Sequence, residues 1–374
     1  MTVLYCLSHI NKSLQWLWYA EELQKRGIRQ VYLLFDINEG YFYLYDDLKK
    51  LGIDVYLIPH KGKFWFILNI LRTVRFIRKY KVDIVHTSLP LANVIGQSAS
   101  WLMGMKKRVT TCENASWAHD FKSKKQEWID RFTFRLAKNV IATSEIAADY
   151  LNRNWRFDKR KLSVIYHGLK QSDYEVSDER ITKVLQQSGI NKKNHFIVGI
   201  ISRFEYWKGH EFIIEAAGKL RDYPEIKFYI FGSNGSYYNE AMRMIKDMKL
   251  EEKVFYGGFV EDSSALYKLF SLQLHVPVNE HVETGGITII EGMMAERPQV
   301  LTLSGYAWQV SKHMHNAYIV PFQNGSAIAD AILWMKNNPD DAKRMARQAK
   351  KDAYVFSVQT KTDRYLEVYN ELLK

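Results

Sequence analysis

Short apolar runs alternate with amphipathic stretches along the chain. Runs of four to eight apolar residues bounded by polar ones are typical of buried strands, and apolar residues spaced three and four apart are typical of helices. In the first half the predicted strands are Val3–Ser8, Gln30–Phe35, Val55–Ile58, Asp83–His86, Arg108–Thr111, Val140–Thr143 and Leu162–Tyr166. The predicted helices between them are Trp16–Lys25, Phe64–Lys79, 90–104, 124–137 and 144–153.

The second half repeats this rhythm. Its predicted strands are Phe196–Ser202, Lys227–Phe231, Val254–Tyr256 and Gln273–Pro277, and its predicted helices include Glu211–Leu220 and 237–248. Strands that alternate with helices form parallel sheets covered on both faces. The 374 residues are too many for one ordinary core. We therefore expect an α/β protein with two Rossmann-like, doubly wound domains, 1–172 and 173–357, joined by a hinge at Gln171–Ser177 and facing each other across a cleft.

Composition places the chain among globular proteins, with 47% apolar and 25% charged residues. The two cysteines, Cys6 and Cys112, exclude both a disulfide framework and a site with several thiolate ligands. The N-terminal residues fit a first buried strand better than a signal peptide, and no run of 18 apolar residues occurs. These features predict a cytoplasmic protein that does not span the membrane.

Positive charge is concentrated in the first half. Residues 1–178 contain 28 Lys and Arg against 18 Asp and Glu, whereas the remainder contains 25 against 23. A basic half favours a phosphate-rich partner, such as anionic lipid, a diphosphate-linked acceptor or nucleic acid. Because no nucleic-acid-binding module accompanies the charge, no nucleic acid is expected. A surface that merely keeps the protein soluble is the alternative.

Two carboxylates stand eight positions apart around a glycine pair, in the stretch Glu283-Thr284-Gly285-Gly286-Ile287-Thr288-Ile289-Ile290-Glu291. The glycines suit a tight turn that opens a helix, and a helix N-terminus favours phosphate. Flanking acids would accept hydrogen bonds from sugar hydroxyls. The pattern therefore fits a nucleotide sugar. A surface helix with incidental acids is the alternative.

A second motif, Gly199-Ile200-Ile201-Ser202-Arg203-Phe204-Glu205-Tyr206-Trp207-Lys208-Gly209, leaves the end of a predicted strand. Arg203 and Lys208 could clamp a diphosphate, the guanidinium through its fork and the ammonium as a point charge. The alternative is a pair of solvated cations on a loop.

Together these motifs resemble those of the retaining GT-B glycosyltransferases of family 4. The family pattern has Gly-x-x-x-Arg with Lys-Gly a few positions on, and later a Glu-x7-Glu element. The resemblance covers nearly the whole chain. The further similar segments are Asp83–His86, Val164–Gly168, Val254–Val260, Met293–Pro298 and the tail from Ala353 to Leu373.

The resemblance implies roles for these residues. Glu283, Arg203 and Lys208 would be catalytic, and Glu291 would hold the ribose hydroxyls of the donor. Further donor contacts would come from Ser202, Thr284, Gly285 and Gly286. The tail 358–374 would pack on the N-terminal, acceptor-binding domain, and 173–357 would bind the nucleotide sugar. No metal and no cofactor are expected, because His313 and His315 have no accompanying acids.

Some positions depart from the family pattern. The glycine loop after the first strand is replaced by Ile10-Asn11-Lys12-Ser13-Leu14, and His167 stands where Asn is usual. In many members of the family a His follows the strand that corresponds to Arg108–Thr111. Glu113 lies nearest that position, and His119 lies further along the same loop. Glu113, His119, His167 and Lys12 are therefore candidate donor or acceptor contacts. Ser304-Gly305-Tyr306 replaces a second glycine pair, and Gln309 stands where an acid is common.

Aromatic and basic residues cluster in the first half. We predict an apolar stripe of Phe64, Ile67, Leu68, Leu71, Val74 and Ile77, most of which packs on the sheet. This leaves Trp65, Phe66, Ile70 and Phe76 among the cations Arg72, Arg75, Arg78 and Lys79. A second cluster comprises Trp101, Met103, Met105, 106–108, Trp117, Phe121, Lys122, Lys124, Lys125 and Trp128. Such mixtures suit peripheral docking on an anionic membrane. A soluble basic surface is the alternative.

The resemblance thus implies a retaining, metal-independent glycosyltransferase. It would move a sugar from a nucleotide-sugar donor, with a UDP-sugar favoured, to a glycan or lipid-linked acceptor in polysaccharide or glycolipid assembly. The alternative is a catalytically silent GT-B subunit that binds nucleotide or a partner protein.

Overall fold

A computed structural model describes residues 1–35, 42–113 and 124–374. These residues form two compact units. Unit 1 comprises Met1–Leu169 together with Val355–Lys374, and unit 2 comprises Lys170–Tyr354. The sequence placed the corresponding boundaries at 172/173 and 357/358.

Unit 1 contains a seven-stranded parallel sheet with the strand order β3-β2-β1-β4-β5-β6-β7. Its strands are β1 (Thr2–Ser8), β2 (Arg29–Phe35), β3 (Asp54–Ile58), β4 (Ile84–Ser88), β5 (Arg108–Cys112), β6 (Asn139–Ala142) and β7 (Leu162–Val164). Its helices are α1 (Leu14–Lys25), α2 (Tyr43–Lys50), α3 (Phe64–Lys79), α4 (Pro90–Leu102), α5 (Lys124–Leu136) and α6 (Glu145–Trp155).

Unit 2 contains a six-stranded parallel sheet with the order β10-β9-β8-β11-β12-β13. Its strands are β8 (Phe196–Ile201), β9 (Ile226–Phe231), β10 (Val254–Gly258), β11 (Leu272–His275), β12 (Gln299–Leu301) and β13 (Tyr318–Ile319). Its helices are α7 (Asp178–Ser188), α8 (His210–Lys219), α9 (Tyr238–Asp247), α10 (Ser263–Leu269), α11 (Ile287–Met294), α12 (Tyr306–Val310), α13 (Gly325–Asn337) and α14 (Pro339–Asp352). The final helix, α15 (Val358–Leu373), belongs to unit 1.

The sequence explains these elements locally. Nearly every residue of β1 and β2 is buried, as expected for parallel strands covered by helices on both faces. Side-chain caps fix several helix starts: Ser13, Ser144 and Ser357 each accept a hydrogen bond from the backbone N–H three residues on. The predicted fold class, two Rossmann-like α/β domains, is confirmed.

The orientation of α3 differs from the prediction. Phe64, Ile67 and Leu71 are exposed, by 75%, 63% and 53%, instead of packing on the sheet. The buried face carries Asn69 and Thr73, whose polar groups are satisfied by backbone: Asn69 Nδ2 donates to the Pro59 carbonyl at 3.0 Å, and Thr73 Oγ1 to the Asn69 carbonyl at 2.8 Å. Because these bonds remove the cost of burying the two polar residues, the helix turns a partly apolar face outward.

Three aromatic residues of α3 and Ile70 were expected to remain among the cations. Phe66, Ile70 and Phe76 instead pack against the core of unit 1, so the prediction for these three side chains was wrong, whereas Val74 packs against that core as predicted. Ile77 is buried as predicted.

Candidate functional site

The site candidates of unit 2 lie where its strand order reverses. β8 and β11 are neighbours in the sheet, and the chain leaves them toward helices that connect in opposite directions. In doubly wound folds, ligands bind beside the carboxyl ends of the strands at this switch point. The loop after β8 carries Arg203 and Lys208, and the loop after β11 carries Glu283.

A buried histidine fixes the start of the first loop. The ring of His210 stacks on Phe204 with a centroid distance of 4.5 Å, and its Nε2 lies 3.0 Å from the Arg203 carbonyl oxygen and 3.3 Å from Ser202 Oγ. Burial lowers the His210 pKa to about 4, so the ring is neutral at pH 7 and Nε2–H donates to the carbonyl. The Arg203 side chain itself is exposed. The sequence motif did not single out His210.

A glycine sets the position of Lys208. A single 3₁₀ turn, Tyr206–Lys208, ends at Gly209, whose φ is +76°. A Cβ on Gly209 would lie 2.0 Å from the carbonyl oxygen of Val276, the residue after β11. Only glycine therefore allows this loop to approach the end of β11 so closely. The approach brings Lys208 to the second loop.

Lys208 and Glu283 form an ion pair between Nζ and Oε1, with both side chains largely buried at 16% and 11% exposure. A partly buried charge pair is screened by salt much less than a surface pair. Among the described residues, the hydrogen bonds and ion pairs of Lys208 and Glu283 include none to Arg203 or Glu291. The structure thus joins two of the four principal candidates.

His275 lies beside the Lys208–Glu283 pair. This last residue of β11 is 5% exposed, and its Nε2 is 4.0 Å from Glu283 Oε1. Its Nδ1 is 3.2 Å from the Thr288 hydroxyl. Burial lowers the pKa of His275 to about 4. A histidine inside an apolar strand gives no sequence signal that distinguishes it from a core residue, so the sequence did not predict it.

The glycine turn begins α11. Gly286 has φ +82° and caps the helix, as expected for a residue that must adopt a left-handed conformation. Tyr306 N donates to the Gly285 carbonyl, and a Cβ on Gly305 would lie 2.3 Å from that oxygen. Ser304-Gly305-Tyr306, which replaces the family's second glycine pair, therefore supports this turn with one glycine, Gly305. Thr284, next to the pair, is buried.

Glu291 is held by two tyrosines. Tyr267 donates to its Oε2 at 3.1 Å, and Tyr174 donates to its Oε1 at 3.3 Å. Burial raises the pKa of the Glu291 carboxyl, whereas these hydroxyls, with Ser263, lower it. The tyrosines orient both carboxylate oxygens. They lie 24 and 117 residues from Glu291 in sequence, so no local motif marks them.

The lower-ranked candidates lie in unit 1. Glu113 accepts a hydrogen bond from Ser88 Oγ at 2.6 Å, and Lys12 Nζ lies 5.4 Å from the centre of the Tyr43 ring. His167 is half-buried, and burial lowers its pKa to about 3. His119 lies outside the described residues.

A buried lysine of α15 was not predicted. Lys361 is 6% exposed and lies over the rings of Trp16, Tyr19 and Tyr365 at 5.5, 5.1 and 5.5 Å. Burial lowers its pKa to about 8, and the nearby Glu113 carboxylate opposes this shift.

Within residues 1–35, 42–113 and 124–374, no group of three or more His, Cys, Asp or Glu side chains could hold a metal ion. His313 Nδ1 accepts from the Ile319 N–H at 3.0 Å, and His315 lies 3.9 Å from Asp352. In the same ranges, no helix has both the length and the apolar content needed to cross a bilayer.

Family models match both halves of the chain. Residues 181–352 match the glycosyl transferases group 1, and residues 19–172 match glycosyltransferase family 4. The chain belongs to the group 1, family 4 glycosyltransferases. The predicted family is confirmed, and the Lys208–Glu283 pair and Glu291 of this glycosyltransferase lie within the group 1 region.

Named relatives agree with this assignment. The glycosyltransferase is 28% identical over 187 residues to the poly(ribitol-phosphate) alpha-N-acetylglucosaminyltransferase of Staphylococcus aureus. The matched residues make up 48% of this chain and 37% of the relative. It is 26% identical over 218 residues to an uncharacterized glycosyltransferase of Methanocaldococcus jannaschii, 58% of this chain and 55% of the relative. The matched segments thus span about half or less of these two relatives.

The fold has solved counterparts. The crystal structure of Anabaena HepE in complex with UDP and glucose superposes with a TM-score of 0.84 at 22% sequence identity, and the match covers 99% of this chain and 100% of that one. A likeness at this identity supports the fold.

Proposed function

We propose that this protein transfers a sugar from a nucleotide-sugar donor, with a UDP-sugar favoured, to a glycan or lipid-linked acceptor, with retention of anomeric configuration. The ion pair between Lys208 and Glu283 carries the proposal. It places a cation and a hydroxyl acceptor side by side at the carboxyl ends of β8 and β11, where a diphosphate sugar presents both of the groups they bind.

Lys208 and Arg203 neutralise the diphosphate as it departs. Cations directed at developing leaving-group charge provide a large part of transition-state stabilisation, and loss of one such contact typically costs on the order of 10²–10³ in rate. The amides at the start of α11, after Gly286, add hydrogen-bond donors for phosphate. With these groups in place, transfer proceeds without a metal ion.

The two glutamates bind hydroxyl groups. Glu291, with both oxygens oriented by Tyr174 and Tyr267, accepts hydrogen bonds from the ribose. Glu283 accepts from a hydroxyl of the donor sugar. UDP is favoured because the structure of HepE contains UDP and glucose. The alpha linkage in the name of the S. aureus relative, together with the resemblance to retaining enzymes, favours retention.

Nucleotide binding and turnover test this proposal. Calorimetry with UDP, GDP and ADP should give one preferred nucleotide, and Lys208→Ala and Glu291→Ala should weaken its binding at least about tenfold, because each loses a charge-assisted contact. Lys192→Ala, an exposed lysine of the same unit, is the matched control.

Turnover separates an enzyme from a silent subunit. UDP release from UDP-sugars, with glycan and lipid-linked acceptors, should fall by about 10²–10³ in Glu283→Gln and Lys208→Ala. Proton NMR of the product should show the anomeric configuration of the donor. Tight UDP binding without release for every donor and acceptor tried would instead favour the silent subunit, and an inverted product would overturn retention.

The exposed face of α3 supports a peripheral membrane contact as part of the proposal. Phe64, Ile67, Leu71, Arg75 and Arg78 are all exposed and, at spacings of three and four, share one face. The helix contains no acidic residue. An apolar half followed by a cationic half complements the acyl boundary and the phosphates of an anionic bilayer.

Further exposed aromatic and apolar side chains lie on α4 and α5. These are Trp101, Leu102, Trp128 and Phe132. α3 contacts α4, and α4 contacts α5, so the surfaces lie on neighbouring helices.

Vesicle flotation tests this contact. The protein should float with phosphatidylglycerol vesicles and not with phosphatidylcholine vesicles, and Phe64→Ser with Leu71→Ser should abolish flotation. Phe259→Ser, which is equally exposed at 75% in unit 2, is the control. Equal loss in the control, or no binding to anionic vesicles by the unaltered protein, would favour a soluble basic surface.

A further inference from the structure

A bound donor would compete with Glu283 for the ammonium of Lys208. In the structure Lys208 Nζ donates to Glu283 Oε1. Under the proposed function, on which this inference rests, the same ammonium turns toward the diphosphate. A carboxylate oxygen with little exposure that loses its donor carries an unpaired charge, and such a loss costs more than the loss of a neutral hydrogen bond.

His275 is placed to replace Lys208 as the hydrogen-bond donor to Glu283. Its Nε2 lies 4.0 Å from the same Glu283 oxygen, one short adjustment beyond hydrogen-bond distance. This nitrogen is fully enclosed and has no hydrogen-bond partner in the structure. Buried polar atoms without partners are rare in folded proteins, and one that faces a catalytic carboxylate indicates a bond made in another state.

The other ring nitrogen defines the tautomer. The hydroxyl of Thr288 lies 3.2 Å from His275 Nδ1. When this hydroxyl donates to Nδ1, the ring proton resides on Nε2, which faces Glu283. The low pKa of His275, about 4, agrees with a neutral ring that holds this proton.

Two glycines let the surrounding loop pass close to Glu283 and His275. A Cβ on Gly286 would lie 3.5 Å from His275 Nε2, and a Cβ on Gly305 would lie 3.0 Å from the Cβ of Glu283.

We propose that His275 is a positioning residue. Its Nε2–H donates a hydrogen bond to Glu283 Oε1 when Lys208 turns from that carboxylate to the donor diphosphate. Glu283 thereby stays in place to accept the hydroxyl of the donor sugar. His275 itself touches neither the sugar nor the diphosphate. The exchange couples the arrival of the diphosphate to the final orientation of the carboxylate.

Kinetics of two matched variants test the exchange. His275→Leu fills the space without a donor, whereas the amide nitrogen of His275→Gln can take the place of Nε2. His275→Leu should lower kcat by about 10–100-fold, corresponding to one hydrogen bond to a charged group, and leave the Kd for UDP within about threefold. His275→Gln should recover most of kcat. Equal losses in both variants, or parallel losses of kcat and UDP affinity, would contradict the exchange, and an unchanged kcat in His275→Leu would show that the ring only fills space.

Histidine NMR provides a readout that does not need turnover. With ¹⁵N-labelled histidine, saturating UDP should shift the Nε2–H signal of His275 downfield as the bond to Glu283 forms. Lys208→Ala should produce a similar shift without nucleotide, because Glu283 then has no competing ammonium. Lys192→Ala, as the control, should leave the signal unchanged.

Turnover and the His275 NMR signal together distinguish the proposed function from the proposed exchange. If the unaltered protein fails to transfer sugar while UDP and Lys208→Ala both still shift the His275 signal, the proposed function fails and the exchange stands. If the protein transfers sugar and neither UDP nor Lys208→Ala moves that signal, the exchange is wrong and the function stands.

Discussion

The hydroxyl of Tyr369, in the last helix, lies 2.5 Å from Nδ1 of His86, in the fourth strand. Both residues are fully buried, and the same hydroxyl also contacts Tyr5 at 3.2 Å and Tyr19 at 3.4 Å. Residues that are up to 364 positions apart thus meet in one polar cluster. The cluster fastens α15 to the sheet of unit 1.

Tyr369→Phe should therefore destabilise unit 1. The variant keeps the ring and leaves His86 Nδ1 without its partner, which costs about 1–3 kcal/mol. Because a unit of this size loses about 2–4 °C for each kcal/mol, the melting temperature should fall by several degrees. Hydrogen exchange should show faster opening of α15.

Tyr223→Phe is the control for this variant, because Tyr223 lies on the surface of unit 2 with 38% of its area exposed. Its melting temperature should stay within about 1 °C of the unaltered protein, as surface changes usually do. An unchanged exchange rate of α15 in Tyr369→Phe would mean that packing, without the hydroxyl cluster, holds the helix.

Stability should fall as the pH drops from 6.5 toward 4.5. Burial is the main cause that lowers the pKa of His86 and His167 to about 3, and of His210 and His275 to about 4. Below pH 6.5 the unfolded chain binds protons that the folded chain does not, so each histidine costs up to about 1.4 kcal/mol per pH unit. Above pH 7 all four are neutral in both states and contribute no slope. Melting temperatures measured between pH 4.5 and 7.5 check this prediction.

His86→Gln should flatten the pH dependence. The variant is expected to be less stable at pH 7, and the difference from the unaltered protein should shrink toward pH 4.5, because one titrating group is gone. The raised pKa of Glu291 acts in the opposite direction, but it is one group against four. A parallel pH profile in the variant would show that His86 does not contribute to the acid sensitivity.

The fold and part of the site follow from sequence because they depend on local patterns. Apolar runs separated by amphipathic helices require parallel sheets, and the spacing of Lys208 before Gly209 and of Glu283 before a glycine pair places both residues in loops after strands. Once the strand order brings β8 beside β11, their loops meet. Local spacing therefore singled out both members of the Lys208–Glu283 ion pair, but not the bond between them.

The remaining site residues depend on partners that are distant in sequence. Tyr174 reaches Glu291 across 117 positions, and His275 is an ordinary member of an apolar strand until its nitrogen is seen facing Glu283. The error in α3 has the same origin. Asn69 and Thr73 have the polarity of solvent-facing residues. Their hydrogen bonds to the Pro59 carbonyl and to the helix backbone offset the free-energy cost of burying them.

Tyr267→Phe should weaken nucleotide binding. Its hydroxyl donates to Glu291 Oε2 and so orients that carboxylate. Its removal should cost about 1 kcal/mol of binding free energy, which raises the Kd for UDP roughly fivefold. Isothermal titration calorimetry measures this change. The control is Tyr237→Phe, whose hydroxyl donates to Met244 Sδ at 3.4 Å, and it should bind UDP normally. Equal affinity in both variants would show that Glu291 keeps its orientation without Tyr267.

Gly209→Ala should damage the site more than Gly189→Ala, although both glycines have positive φ, +76° and +67°. Either alanine strains the backbone by about 1–2 kcal/mol. A Cβ at position 189 meets no atom within 4 Å, whereas at position 209 it lies 2.0 Å from the Val276 carbonyl oxygen and must displace the loop that carries Lys208. Since a shift of about 1 Å in a catalytic group can cost 10²-fold, UDP release by Gly209→Ala should fall by about that factor. Gly189→Ala should lose stability alone, and equal activities in the two variants would mean that the close approach of the loop to β11 does not position Lys208.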